Sequence, residues 1–194
     1  MGKKNKLNVI IHLAARVPII EVNKNKEKSK KINYFGTKNL VDACIKEKIN
    51  WFFFASTSHV YSSSKQKILE SNKTSPISYY GKTKLYAEKY IIKKFEKYGI
   101  NYCIGRIFST TNINQKKNYL VPDLKSRIKK NKDNLIFKNL NHYRDFISMK
   151  DLSKLIFILL NKNFKGIINM ASGKSVHLKL IAKILLKKFK IIIT

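Results

Sequence analysis

Glycine is scarce in this 194-residue chain, and its seven occurrences, at positions 2, 36, 81, 99, 105, 166 and 173, never take the spacing Gly-x-x-Gly-x-x-Gly. That spacing lets a strand-to-helix turn approach a pyrophosphate at a helix N-terminus, so no such loop stands among these residues. Cysteine is almost absent: Cys44 and Cys103 lie far apart inside apolar patterns. Two distant thiols make neither a metal-ligand set nor a disulfide framework, and both are expected buried and free. No uninterrupted apolar run reaches the roughly eighteen residues of a membrane span. The largely apolar stretch 7–15 ends at Arg16 rather than at a small-residue cleavage site. A soluble, cytoplasmic protein without membrane contact is expected.

Acidic residues are also few, 11 against 41 Lys and Arg, which leaves a formal charge of +30. Such an excess ordinarily suggests nucleic acid. Here the arginines are only Arg16, Arg106, Arg127 and Arg144, and lysines are spread along the whole chain, with Asn and Ile also abundant. A general compositional bias explains this better than a nucleic-acid surface does. The positive field still favours a substrate carrying a diphosphate.

The length and the 44% hydrophobic content suit one domain, 1–194, with a sizeable core, and a subdivision near residue 110 is compatible with the later elements. Residues 7–14 form a short apolar run, the pattern of a strand covered on both faces. A polar, Lys-rich stretch 23–31 precedes helical spacing at Leu40, Val41, Cys44 and Ile45. Trp51-Phe52-Phe53-Phe54-Ala55 reads as a second buried strand, its four large side chains as core. A serine-bearing loop leads to Pro76, then a helix over 77–98 stopped by Gly99, and a strand over 101–108. Further on, 120–130 reads as a helix opening at Pro122, 135–138 as a small strand, 151–160 as a helix with an N-terminal Asp, 166–171 as a strand and 176–190 as an amphipathic helix. Strand and helix alternate, which predicts an α/β fold with a doubly wound parallel sheet.

Within the second strand and the helix after Pro76, Thr57 ends a strand while Tyr80 and Lys84 stand one helical turn apart. Tyr34/Lys38, Tyr61/Lys65 and Tyr90/Lys94 share that spacing, so spacing alone favours an ordinary exposed helix turn. Tyr80/Lys84 alone combines a helix N-terminal turn, a preceding proline loop and a hydroxyl at a strand end upstream. Side chains at i and i+4 share a helix face. A Tyr with an unperturbed pKa of about 10 becomes a useful base beside an ammonium, which favours the phenolate.

The segments Ala55-Ser56-Thr57-Ser58-His59-Val60-Tyr61 and Pro76-Ile77-Ser78-Tyr79-Tyr80-Gly81-Lys82-Thr83-Lys84-Leu85-Tyr86-Ala87-Glu88 resemble the motifs of extended short-chain dehydrogenases/reductases, the NAD-dependent epimerases and dehydratases of nucleotide sugars. Val9-Ile10-Ile11-His12-Leu13-Ala14-Ala15, Asn33-Tyr34-Phe35-Gly36-Thr37-Lys38-Asn39-Leu40, Arg106-Ile107-Phe108, Arg144-Asp145-Phe146-Ile147 with Asp151-Leu152, and Gly166-Ile167-Ile168-Asn169-Met170-Ala171-Ser172-Gly173 follow in the family's order. The resemblance implies a Rossmann-like sheet, N-terminally truncated, with a small C-terminal substrate-binding portion. It implies Tyr80 as general acid/base, Lys84 as its electrostatic partner and ribose ligand, and Thr57 as partner of the substrate hydroxyl. Leu13, Ala14, Ala15, Asn33, Ser56 and Phe108 would join Tyr80 and Lys84 around NAD, NADP being the alternative. Ser58, Ser109 and Arg144, whose forked donors suit a diphosphate, would join Thr57 on a nucleoside-diphosphate sugar. His12 and His59 fall within family strand and loop elements and are read as structural.

The family's glycine loop has no counterpart, so the chain is read as starting at the family's fourth strand and leaving an exposed sheet edge. Ser62 and Ser109 replace a usual Gly and Asn. Two readings follow. One is a nucleotide-sugar epimerase or dehydratase, 4-epimerase first and 4-ketoreductase as alternative, working as a homodimer or with a complementing N-terminal chain. The other is a noncatalytic homologue that binds a nucleotide sugar or a partner chain.

Overall fold

The computed structural model describes residues 7–17, 19–112, 114–115, 119–130 and 140–188, which form two compact units. The first contains residues up to Ile107 together with Ser153–Met170, and the second contains Phe108–Leu152 and the residues from Ala171.

In the first unit, β1 (Val9–His12), β2 (Trp51–Thr57), β3 (Asn101–Ile107) and β6 (Gly166–Met170) make one parallel sheet in the order β1-β2-β3-β6. Helices connect successive strands, as parallel pairing requires. Before β2 come α1 (Ile19–Lys24), α2 (Lys26–Lys30), a π-helical segment Lys31–Gly36 and α3 (Thr37–Lys46); α4 (Tyr79–Tyr98) joins β2 to β3. The even-numbered residues Phe52, Phe54, Tyr102 and Ile104 face Val41, Cys44, Ala87, Ile91 and Phe95 of α3 and α4 in one apolar cluster. Phe53 stacks on Trp51, whose indole N–H donates to the Phe164 carbonyl at 2.9 Å.

Two expectations need correction. Strand β1 is shorter than 7–14 and is a terminal strand, so Val9 and Ile11 are exposed rather than covered on both faces. The Lys-rich stretch 23–31, to which the sequence assigns no element, is largely helical, because Asn25 caps α2 by accepting from Lys28 N at 2.8 Å and Val22 anchors α1 in the interior. Helix α4 begins at Tyr79 rather than 77, since the Ser78 hydroxyl accepts from Gly81 N and sets the first turn. Its end at Gly99, φ 67°, matches the expectation, a left-handed cap that glycine adopts without strain.

The second unit contains β4 (Ser109–Thr111), α5 (Leu120–Lys130), β5 (Tyr143–Ser148), β7 (Ser175–His177) and α7 (Leu178–Lys188). Strands β4 and β5 are parallel, β5 and β7 antiparallel. None of these three short strands is marked by the sequence. Leu124, Ile128, Leu140, Leu178, Ala182, Leu185 and Leu186 form its core. Helix α5 opens at Leu120, two residues before Pro122, where a missing N–H leaves no hydrogen bond unmade. The unit boundary falls inside α6 (Met149–Asn161), whose Asp151 and Ser148 cap each other. The expected strand 135–138 lies outside the described residues, as do the last two positions of the expected final helix.

A buried ion pair joins α4 to the sheet. Arg106 on β3 donates to Glu88 on α4, from Nη2 at 2.8 Å and from Nε at 3.2 and 3.3 Å, and both residues are almost fully buried. Nη1 donates to the Tyr61 phenol at 2.7 Å and to the Glu70 carbonyl at 3.3 Å. Tyr61 in turn donates to Asn169 Oδ1, and Ser56 Oγ on β2 donates to Glu88 Oε1. Two strands, one helix and the loop 58–75 therefore meet on one pair of charges.

Glu88→Gln leaves the Arg106 guanidinium buried without its counter-charge, and urea denaturation should show a loss of about 3–5 kcal/mol. Gly81→Ala drives a Cβ into the His59 backbone and against Pro76. It should cost about 1–3 kcal/mol in the same measurement by pushing the first turn of α4 off the loop.

Candidate functional site

Helix α4 presents Tyr80 half-buried at its first turn, with its ring 6.1 Å from that of His59 in an edge-on arrangement. His59 lies in the short 3-10 turn Ser58–Val60 that follows β2, and its N–H donates to the Thr57 hydroxyl oxygen at 3.2 Å. Thr57 thus caps this turn and keeps its own O–H available as a donor. Gly81 allows the approach, because the His59 backbone occupies the place of a side chain there. Ser58 is partly exposed in the same turn.

Lys84 is 1% exposed, and its ammonium sits 3.9 Å from the centroid of the Phe54 ring. Burial pulls its pKa down to about 7, while the Glu88 carboxylate acts in the opposite direction. His12, at the end of β1, has its ring 5.6 Å from Phe54. Desolvation first, and the Lys84 charge second, push His12 down to about 4. The Thr37 hydroxyl donates its one proton to the Asn33 carbonyl at 2.8 Å, so at 2.9 Å from His12 Nε2 it accepts. His12 is therefore a neutral Nε2–H imidazole.

Asn33 is fully buried in the π-helical segment. Its Oδ1 accepts from Arg16 N at 2.6 Å; its Nδ2 donates to Arg16 O at 3.3 Å and to Thr83 Oγ1 at 3.2 Å. Thr83 donates to the Tyr80 carbonyl. One amide thus fastens the segment Leu13, Ala14, Ala15, Arg16 to the turn of α4 that carries Tyr80 and Lys84. Leu13 and Ala14 are exposed beyond the end of β1, and Ala15 is partly exposed.

The first unit holds Leu13, Ala14, Ala15, Ser56, Thr57, Ser58, Tyr80 and Lys84 on the carboxyl ends of β1 and β2 and the first two turns of α4, and Asn33 in the π-helical segment. The second unit holds Phe108, Ser109 and Arg144; Ser109 is in register with Phe146, and Arg144 is exposed on β5. Sequence reasoning missed three contributors. Phe54 was hidden by its place in an apolar run. Glu88 and Thr83 stood within the quoted motif, but only their partners reveal what they do. No cluster of metal-ligating side chains occurs among the described residues.

The profile of the NAD dependent epimerase/dehydratase family matches residues 1–171. The uncharacterized UDP-glucose epimerase YtcB of Bacillus subtilis is 33% identical over 130 residues, covering 67% of this chain and 41% of that protein. GDP-6-deoxy-D-talose 4-dehydrogenase of Aggregatibacter actinomycetemcomitans is 29% identical over 88% of this chain and 58% of its own length. The chain thus spans about half the length of these curated relatives. Among solved structures, UDP-N-acetylglucosamine 4-epimerase from Methanobrevibacter ruminantium M1, in complex with UDP-N-acetylmuramic acid, superposes with a TM-score of 0.86 at 26% identity, covering 94% of this chain and 61% of that one. A tyrosine-to-phenylalanine mutant of UDP-glucuronic acid 4-epimerase from Bacillus cereus, in complex with a fluorinated UDP-sugar and NAD, gives 0.87 at 26% identity, covering 94% and 60%. The parallel sheet, the ordered motifs and these matches agree: the chain belongs to the NAD dependent epimerase/dehydratase family.

Proposed function

We propose that this chain carries the proton-transfer half of an NAD(P)-dependent enzyme acting on nucleoside-diphosphate sugars, with 4-epimerisation as the reaction. The observation that carries the reading is the buried Lys84 ammonium one turn beyond Tyr80, on a helix pinned against the strand end that bears Thr57. The 4-epimerase names among the relatives and structural neighbours support it.

The donor set suits the nicotinamide-ribose end of a dinucleotide: a desolvated ammonium, a phenol and hydroxyls gathered at the carboxyl ends of parallel strands. Within the first unit Lys84, Tyr80, Ser56 and the segment Leu13, Ala14, Ala15 would hold it, with Asn33 fastening that segment through Arg16. When bound, NAD supplies the acceptor and donor of a hydride. Tyr80 takes the proton of the sugar hydroxyl and later returns it, and the Lys84 charge favours the phenolate that this requires. Thr57 donates its hydroxyl proton to the sugar oxygen. Ser58, Ser109 and Arg144 are assigned to the rest of the nucleotide sugar.

Tyr80→Phe should lower turnover about 10²–10⁴-fold while calorimetry shows unchanged affinity for the nucleotide sugar; undiminished turnover would remove Tyr80 from its role. If NADH fluorescence titration and thermal shift with NAD both show no binding, the cofactor role proposed for these residues fails.

The position of Lys84 also generates a pH signature. Its unfolded pKa is about 10.4 and its folded value about 7, so between these values the unfolded chain holds more protons and stability rises with pH. Below pH 7 the cost of the buried charge is fully present. Relative to Lys84→Met, wild-type stability in urea should rise by up to about 1.4 kcal/mol per pH unit between about 7 and 9. Referring it to that variant cancels the opposite trend from Cys44 and Cys103, whose thiols burial pushes up to about 11 and 12. Parallel stability curves for the two proteins would contradict the assignment.

A further inference from the structure

Lysine over an aromatic ring is a common sight in so Lys-rich a chain, and several instances here are surface contacts at 5.5 to 5.8 Å: Lys26 over Tyr79, Lys30 over Phe35, Lys38 and Lys94 over Tyr90. Lys84 over Phe54 is a different case. The separation is 3.9 Å, Lys84 is 1% exposed and Phe54 is 0% exposed. A cation placed on a ring face is attracted by the ring quadrupole, and more strongly when water is excluded.

The other charged and titratable groups around Lys84 cannot take over this task. Glu88, one turn further along α4, is committed to Arg106 and Ser56, so its carboxylate acts on Lys84 through its field. Arg106 on β3 and His12 on β1 are themselves cationic or basic, and His12 stays neutral partly because Lys84 is charged. Tyr80 stands on the same helix, one turn before. The three consecutive phenylalanines of β2 are also used differently: Phe52 packs edge-on against Phe95, Phe53 stacks on Trp51, and Phe54 takes the ammonium.

We propose that Phe54 is a positioning residue for Lys84, its ring face carrying the buried ammonium in place of a carboxylate and leaving the N–H donors of Lys84 for hydroxyl oxygens. An ammonium has three donors and no acceptor. A direct ion pair would occupy one or more of them and fix their direction, whereas a ring face attracts the charge without requiring a particular N–H orientation. The inference deepens the proposed role of Lys84 as partner of Tyr80 and of a ligand hydroxyl, and rests on that reading for its meaning in function. The ring contact itself stands on the distance and the burial.

The test keeps the ring's shape and removes its negative face. Site-specific incorporation of 4-fluoro-, 3,5-difluoro- and 3,4,5-trifluorophenylalanine at position 54, in protein labelled with ¹³C at lysine Cε, allows Lys84 to be titrated by NMR. Its resonance is the one lost in Lys84→Met. The apparent pKa should fall stepwise with fluorination, by about one unit across the series, a tenfold loss in proton affinity. Glu88→Gln should lower it too, which shows that the probe responds to its surroundings. Phe54→Leu, if it folds, should move the value in the same direction as fluorination. A flat or rising series while Glu88→Gln shifts the signal would reduce Phe54 to core packing and overturn the proposal. That outcome leaves the Tyr80→Phe result intact; an undiminished Tyr80→Phe enzyme would remove the proposed chemistry without touching the ring contact.

Discussion

The ion pair between Glu88 and Arg106 is the constraint on which the rest of the first unit depends. Taking two charges out of water costs several kcal/mol each, and the cost is offset only where geometry is good and the remaining donors and acceptors are satisfied. Both conditions hold: three N–H contacts reach the carboxylate, Ser56 donates to it, and Tyr61 and the Glu70 carbonyl accept from the guanidinium. Because Glu88 lies on α4, Arg106 on β3 and Ser56 on β2, the pair fixes the rotation of the helix as well as its distance from the sheet. A helix so locked has no freedom over where its earlier turns point, and Lys84 and Tyr80 lie one and two turns back toward its N-terminus.

The consequence for Lys84 is electrostatic. Rotation of α4 that satisfies Glu88 also carries Lys84 inward, onto Phe54 and away from water. In a chain with a formal charge of +30 almost every other lysine can stay solvated, so the burial of this one is imposed by its helix and not by any shortage of surface. Desolvation then lowers its proton affinity toward neutrality, and the neutral imidazole of His12 on the next strand is the complementary effect. Asn33 completes the arrangement from the other side. By saturating its amide with Arg16 and Thr83 it ties the segment after β1 to the same two turns of α4.

Much of this was legible in the residues. Apolar runs bounded by turns located β2, β3 and β6, and helical spacing with Gly99 located α4, because in these elements the side-chain period and the burial agree. The rest was not legible, for a different reason in each place. The stretch before α3 is so Lys-rich that the few apolar anchors, such as Val22, give no periodic signal, and its helices rest on the Asn25 cap and on contacts with α4. Strand β1 looked covered on both faces because composition does not report whether a strand is terminal. The strands β4, β5 and β7 are too short for a period to show.

The sequence by itself determined the family and the succession of β1, α3, β2, α4, β3, α6 and β6, and it singled out Thr57, Tyr80 and Lys84 as candidates, because those properties are written in local periodicity and in motifs of adjacent residues. Only the tertiary structure decided that Glu88 pairs with Arg106, that Asn33 reaches Thr83 fifty positions away, and that Phe54 lies against the Lys84 ammonium. Each of these joins residues from different elements, and its strength comes from the exclusion of water, which exists only once the helix and the sheet have closed on one another.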